Sequence, residues 1–342
     1  MWIKLGTALL TALVVVLGAE ALARGVMGRV AFAHSYDEPR NPNYRRAWPA
    51  FTEPRPRDAD EKLVIVISNS QGFAHELKDP GQVYTHLLEA QLNKQVTDTK
   101  IKVLNWSLGG VSGPEMLLLA SRAADHKPDA LLIITHSNPF SHHRLNNPLS
   151  FYLSDAGQLA YTEPIRDRLP RWYRRRHRIY DPATFLEVQS SLVQCRNTFV
   201  EQRHRRWHIA EAADEPRRER QKRVPAPEVR GSGRNLLKAC VEIFHAEQPG
   251  TPVLLMNMPL CRPKWTKQAW EEFQSFSQMM LEIEDELAHV TAIDATKAIP
   301  NDLFLTHAHM SAQGHIAFAD YLLPVVKELL EYTTAPSPPA PE

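Results

Sequence analysis

The strongest constraint on the fold is a set of short, unbroken apolar runs with amphipathic segments between them. Residues 63–68, 101–105, 130–135, 253–257 and 290–294 are mainly aliphatic or β-branched, without alternation. A strand with one wet face alternates apolar and polar residues, so continuous runs of this length predict strands buried on both faces of a parallel sheet. Between them, residues 80–95 carry Val83, Leu87, Leu88 and Leu92 on one face. Ser112 stands before Pro114 as an N-cap precedes a helical proline, and that helix is expected through 116–124. Trp265, Phe273, Phe276, Met280, Ile283 and Leu287 recur at helical steps in a third segment. Strand, helix, strand in repetition predicts βαβ units and a doubly wound α/β sheet, whose active crevice lies at the carboxyl ends of the strands.

The flanks are of other kinds. Residues 5–23 are apolar apart from two threonines and Glu20, and as a helix they reach about 28 Å, just enough to cross a bilayer core. Residues 1–33 are therefore expected to be a signal-anchor, which puts the bulk of the chain outside the cytoplasm, in the periplasm if the source is bacterial. The alternative is a cleaved signal peptide and a secreted protein, with Ala21-Leu22-Ala23 as a small-x-small cleavage site. Residues 34–61 hold five prolines and read as an extended linker. The α/β domain is expected over 62–332, and the proline-rich tail 333–342 has nothing to bury.

At the strand ends stand four polar segments. Ser68-Asn69-Ser70-Gln71-Gly72 follows the first run, Asn105-Trp106-Ser107-Leu108-Gly109-Gly110 the second, and Thr135-His136-Ser137-Asn138 the third; His309-Met310-Ser311 opens the last helix. In order and spacing these resemble the SGNH/GDSL hydrolases, over about 63–140 and 250–330. The resemblance implies a flavodoxin-like, five-stranded parallel sheet of the SGNH-hydrolase type. It also implies Ser70 as nucleophile, Gly110 and Asn138 as oxyanion-hole donors, and His309 as general base. The residue types suit the chemistry: a serine hydroxyl attacks well only when an imidazole takes its proton, and the oxyanion that results needs preorganised donors.

The chain departs from the family in one place that bears on activity. The family's acid stands three residues before the histidine, and here that position is Thr306. A threonine cannot balance an imidazolium as a carboxylate does. Three readings stay open: a Ser70–His309 dyad, a substitute carboxylate such as Asp302 or Asp294, or loss of hydrolytic activity.

The activity implied is that of a serine ester hydrolase or O-acyltransferase working through an acyl-Ser70 intermediate. Its substrate would be an O-acyl ester, O-acetyl above all, on a small molecule, a carbohydrate or a cell-envelope polymer. A non-catalytic scaffold of the same fold, binding glycan or lipid at the membrane, is the alternative that Thr306 favours. No cofactor is expected. One glycine in the 68–72 segment does not make a phosphate loop. His307, His309 and His315, even with His136 and Asp294, match no metal-ligand spacing. Cys195, Cys240 and Cys261 allow at most one disulfide.

Residues 141–250 fall outside the resemblance and read as an inserted segment, opening with a short hairpin around Ser154-Asp155-Ala156-Gly157. From Arg171 to Arg223 it is arginine-rich, with Trp172, Tyr173 and Trp207 interleaved. The chain's formal charge of +1 argues against a nucleic-acid binder as a whole. It conceals a segregation, because residues 166–234 hold 18 Lys+Arg against 9 Asp+Glu. An anionic polymer or lipid is the partner class that stretch suits, against the plainer reading as a solvated helical cap. Nothing in the sequence fixes the oligomeric state.

Overall fold

A computed structural model describes residues 10–22, 57–74, 76–77, 79–96, 98–107, 111, 113–141 and 231–332. Its main elements in chain order are β1 (Glu61–Ser68), α1 (Ser70–Phe73), α2 (Tyr84–Gln95), β2 (Lys100–Ser107), α3 (Gly113–Asp125), β3 (Ala130–Thr135), α4 (Gly231–Glu247), β4 (Val253–Asn257), α5 (Lys267–Glu286), β5 (Val290–Asp294) and α6 (Ala312–Tyr332). The five strands form one sheet in the order β2-β1-β3-β4-β5, every pair parallel. This is the flavodoxin-like order, with its switch point between β1 and β3.

The unbroken apolar runs of β1, β3 and β4 have a direct cause, whereas β5, at an edge of the sheet, is only partly buried after Val290 and departs from the expected burial on both faces. Leu63, Ile65 and Ile67 of β1 pack into one layer with Met116 of α3, Leu237 of α4 and Phe276 of α5. Val64 and Val66 pack into the opposite layer with Leu88 of α2 and Phe318 and Leu322 of α6. All five β1 residues are fully buried, and each such side chain contributes roughly 1.5–3 kcal/mol by leaving water. β3, β4 and β5 coincide with the apolar runs. β1 and β2 run past theirs, because the parallel ladder continues through polar pairs from Glu61 with Lys100 to Ser68 with Ser107.

β2 is an edge strand, and α2 covers its open ladder with side chains. Asn93 accepts from the Ile101 N–H at 2.9 Å and donates to the Ile101 carbonyl at 2.7 Å, and Glu89 accepts from the Val103 N–H at 2.7 Å. Capping of this kind blocks pairing with another chain.

Two helix starts differ from expectation. Asp79 accepts from the Gly81 N–H, so Pro80–Gln82 is a 3-10 turn and α2 begins at Tyr84. Thr266 caps α5 by accepting from the Ala269 N–H at 3.0 Å, which leaves Trp265 in the preceding loop.

Residues 10–22 are helical, with Leu10, Leu13, Val14, Val15, Val16, Leu17 and Leu22 exposed. Among the described residues no helix is long and apolar enough to cross a membrane. The membrane-spanning expectation for 5–23 extends beyond this helix, since residues 5–9 and 23 lie outside the described residues. Most of the expected linker (34–56), nearly all of the inserted segment (142–230, with Cys195 and the arginine-rich stretch) and the tail (333–342) lie outside them as well. Cys240 and Cys261 are free and buried.

Candidate active site

The site is built first from the turn that ends β1. Asn69 is extended, and its side-chain oxygen accepts from the Gln71 N–H at 3.0 Å, the N-cap arrangement that starts α1. Ser70 is the first residue of that helix, so its own N–H has no partner within it. β2 supports the turn from beside. Asn105 donates to the Gly72 carbonyl at 3.0 Å and accepts from the Ser107 N–H at 3.1 Å and hydroxyl at 2.5 Å. Gly72 is required by this approach, since a Cβ there would stand 2.1 Å from Ser107 Oγ. Burial pushes the neighbouring Tyr84 phenol upward, only partly offset by the Ser68 and Ser107 hydroxyls, so the support under the turn is uncharged.

The second part is the loop before α6. Phe304 and Met310 form an isolated antiparallel bridge, and the His309 carbonyl accepts from the N–H groups of Leu305 at 2.8 Å and Thr306 at 3.2 Å. Thr306 Oγ1 in turn accepts from the His309 N–H at 3.0 Å. The position that carries the acid in the resembled family is here a turn cap that sets the backbone of the histidine.

These parts bring Ser70 and His309 together: Nε2 of His309 stands 3.0 Å from Ser70 Oγ. The other ring nitrogen, Nδ1, is in contact with the carboxylate of Glu76. The Glu76 side chain is 7% accessible and the His309 side chain 21%. Glu76 reaches the ring because the chain reverses after α1 through Ala74, which adopts the left-handed conformation at φ 45°. An imidazole held by a carboxylate on Nδ1 presents a proton-accepting Nε2 to the hydroxyl, and the carboxylate stabilises the imidazolium that forms.

The carboxylate at His309 Nδ1 is that of Glu76, and the two expected substitute acids stand elsewhere. Asp294 ends β5, where its Oδ1 accepts from the Thr296 N–H at 3.0 Å and hydroxyl at 2.6 Å, closing a turn. Asp302 is exposed in the 3-10 turn Asn301–Leu303. The carboxylate on His309 comes instead from the segment that follows α1.

Asn138 opens the 3-10 turn Asn138–Phe140 after β3, across the switch point from Ser70, and its N–H donates to Nδ1 of His136 at 2.9 Å. That bond leaves the His136 ring proton on Nε2 if the ring is neutral. Gly110 lies outside the described residues. The His307 ring packs edge-on against Trp265 at 4.7 Å, and burial, then the proximity of His309 and Lys264, lowers its pKa to about 4. His315 is buried and stacks on Tyr84. Among the described residues no group of three or more His, Cys, Asp or Glu is placed to hold a metal ion.

Glu76 and Gln71 are the residues of the site that the sequence does not announce. Gln71, 1% exposed, donates from Nε2 to the carbonyls of Ala308 at 2.6 Å and Pro259 at 3.0 Å. The one signal for Glu76 is an acid six residues after Ser70, in the stretch Phe73-Ala74-His75-Glu76-Leu77.

No protein-family model matches the chain, and no curated protein matches it. Solved structures similar to it include a lipase/acylhydrolase from Enterococcus faecalis, at 15% identity and TM-score 0.42 over 78% of this chain and 96% of that one. A carbohydrate acetylesterase family member from Sinorhizobium meliloti shows 12% identity and TM-score 0.39 over 79% and 99%. A carbohydrate esterase family 2 enzyme with a carbohydrate-binding domain, from Corynascus thermopiles, shows 11% identity and TM-score 0.44 over 82% and 69%. The chemistry read from this chain rests on the geometry of Ser70, His309 and Glu76 themselves.

Proposed function

We propose that this chain is a serine ester hydrolase or O-acyltransferase, with Ser70 as nucleophile, His309 as general base and Glu76 as the carboxylate that orients the ring and stabilises the imidazolium formed as it takes the proton. The observation that carries the reading is the continuous relay from the Glu76 carboxylate through His309 to Ser70 Oγ. In the first half-reaction Ser70 Oγ attacks the acyl carbon as its proton passes to Nε2. The tetrahedral intermediate then collapses, the ester C–O bond breaks, and the imidazolium protonates the departing alcohol. In the second half, water or an acceptor hydroxyl attacks acyl-Ser70 with His309 again as base, and Ser70 is restored.

The oxyanion would be met by the Ser70 N–H, with Asn138 and Gly110 in the roles that the family resemblance implies. Each such donor typically contributes about 3 kcal/mol to the barrier reduction. With a carboxylate on His309, the reading as a non-catalytic scaffold loses the observation that favoured it.

The substrate class proposed is an O-acyl, chiefly O-acetyl, ester of a carbohydrate or cell-envelope molecule. The exposed apolar helix at 10–22 supports a membrane-associated setting for the domain, and its extracytoplasmic side is part of the same proposal. Hydrolysis of p-nitrophenyl acetate and of acetylated oligosaccharides by the purified full chain tests the reading. Acetate release that disappears in Ser70→Ala is expected; release that persists in Ser70→Ala, or no turnover of any acetyl ester, overturns it.

A further inference from the structure

Three strand-end segments must be held in register for Ser70 and His309 to meet, and one buried side chain ties all three. Gln71 follows Ser70 directly, and its amide nitrogen donates both protons: one to the carbonyl of Ala308, the neighbour of His309, and one to Pro259 in the loop after β4. That loop and the histidine loop are already joined to each other. The His307 carbonyl accepts from the Cys261 N–H at 3.1 Å and the Trp265 indole at 3.0 Å, and Lys264 reaches the Leu305 carbonyl at 3.1 Å. They form one unit, which Gln71 fastens to the nucleophile turn.

We infer that Gln71 is a positioning residue for the proposed reaction, its carboxamide setting the distance between His309 Nε2 and Ser70 Oγ through the Ala308 backbone. This rests on the reading of Ser70 and His309 as nucleophile and base. The chemistry calls for this residue type. Two carbonyl oxygens side by side need two donors from one centre, which an amide NH₂ supplies in a plane and which a carboxylate, thioether or alkyl group cannot. The bonds are to backbone on both sides, so they fix the loop whichever acyl ester is bound.

The test is the rate of covalent modification of the purified full chain by a fluorophosphonate, resolved into reversible affinity (KI) and the modification step (kinact). Gln71→Met keeps bulk and burial and removes both donors. Gln71→Asn keeps the amide on a stem one methylene too short, and it stands in if the Met variant does not fold. Val241→Ala, in the core layer on the other face of the sheet, controls for loss of stability at matched Tm.

The expected result is a fall in kinact of about ten- to a hundredfold in the Gln71 variants, with KI within about twofold of wild type, as a misplaced catalytic pair gives; Val241→Ala leaves kinact unchanged. Wild type that is modified at Ser70 while the Gln71 variants keep its kinact overturns the inference and leaves the serine reading standing. So does a fall in kinact equal to that of Val241→Ala at matched Tm. Wild type that takes up no probe at Ser70 overturns both.

Discussion

The carboxylate of Glu76 meets Nδ1 of His309, and the two residues come from opposite ends of the chain. The proposed acid and nucleophile share one short segment after β1, while the proposed base arrives from the loop before α6. In the resembled family acid and base share a segment instead. Here the carboxylate comes from the segment after α1, and Thr306 is a turn cap.

From this arrangement, Glu76→Gln should lower kcat on an acetyl ester by roughly 100- to 10,000-fold, because the amide neither holds the imidazole in the right tautomer nor stabilises the imidazolium that forms during the reaction. Asp294→Asn and Asp302→Asn should stay within about twofold of wild type. Steady-state kinetics of the three variants decides it; a large loss at Asp294 or Asp302 with a small one at Glu76 would return the acid to the sequence-based candidates.

Thr306→Ala removes the acceptor for the His309 N–H and should cost about 1 kcal/mol of stability, in the range for a lost side-chain cap. Urea unfolding measures the cost. Adding a carboxylate there, Thr306→Asp, should not rescue Glu76→Gln if Thr306 faces the backbone of its own turn, and recovery of full activity in that double variant would contradict the placement.

Much of the fold was legible because the physics that makes it is local or periodic. Unbroken runs such as 63–68 arise from burial on both faces, and a parallel sheet with helical crossovers is the arrangement that provides it. The pairing of Ser70 with His309 was accessible through the order of the strand-end segments. Glu76 was not. Its reach to His309 depends on the reversal at Ala74 and on the approach of a distant loop, and neither leaves a mark in composition or spacing. Thr306 misled for a related reason: a missing acid at one position says nothing about a carboxylate arriving from elsewhere. Gln71 was quoted as part of a motif, but its partners are backbone carbonyls, which no sequence pattern identifies.

Gly72→Ala should destabilise the protein by about 1–3 kcal/mol, since the new Cβ would stand 2.1 Å from Ser107 Oγ and 3.0 Å from both Ser107 Cβ and the Tyr84 hydroxyl. Removing the hydroxyl in Gly72→Ala/Ser107→Ala should recover part of the loss. Thermal unfolding of both variants checks this, and a Gly72→Ala protein as stable as wild type would mean that α1 does not lie so close on β2.

His307 should make stability depend on mild acid. Burial lowers its pKa to about 4 in the folded state, while in the unfolded chain it is about 6.5. Between those values the unfolded state binds the proton and the folded state does not, so stability falls as pH drops from about 6.5 towards 4, then levels off. Wild type should therefore lose more Tm between pH 7 and pH 5 than His307→Gln, which lacks the titrating ring. Equal losses in the two proteins would show that His307 is not buried against Trp265 as described.

The most direct measurement of the central claim is intact-mass and peptide mapping of the full chain after a fluorophosphonate, for wild type, Ser70→Ala, His309→Ala and Glu76→Gln. A single adduct on Ser70 is expected in wild type, none in Ser70→Ala, and modification slowed by at least about a hundredfold in both His309→Ala and Glu76→Gln. An adduct on another serine, or a Glu76→Gln protein modified as fast as wild type, would contradict it.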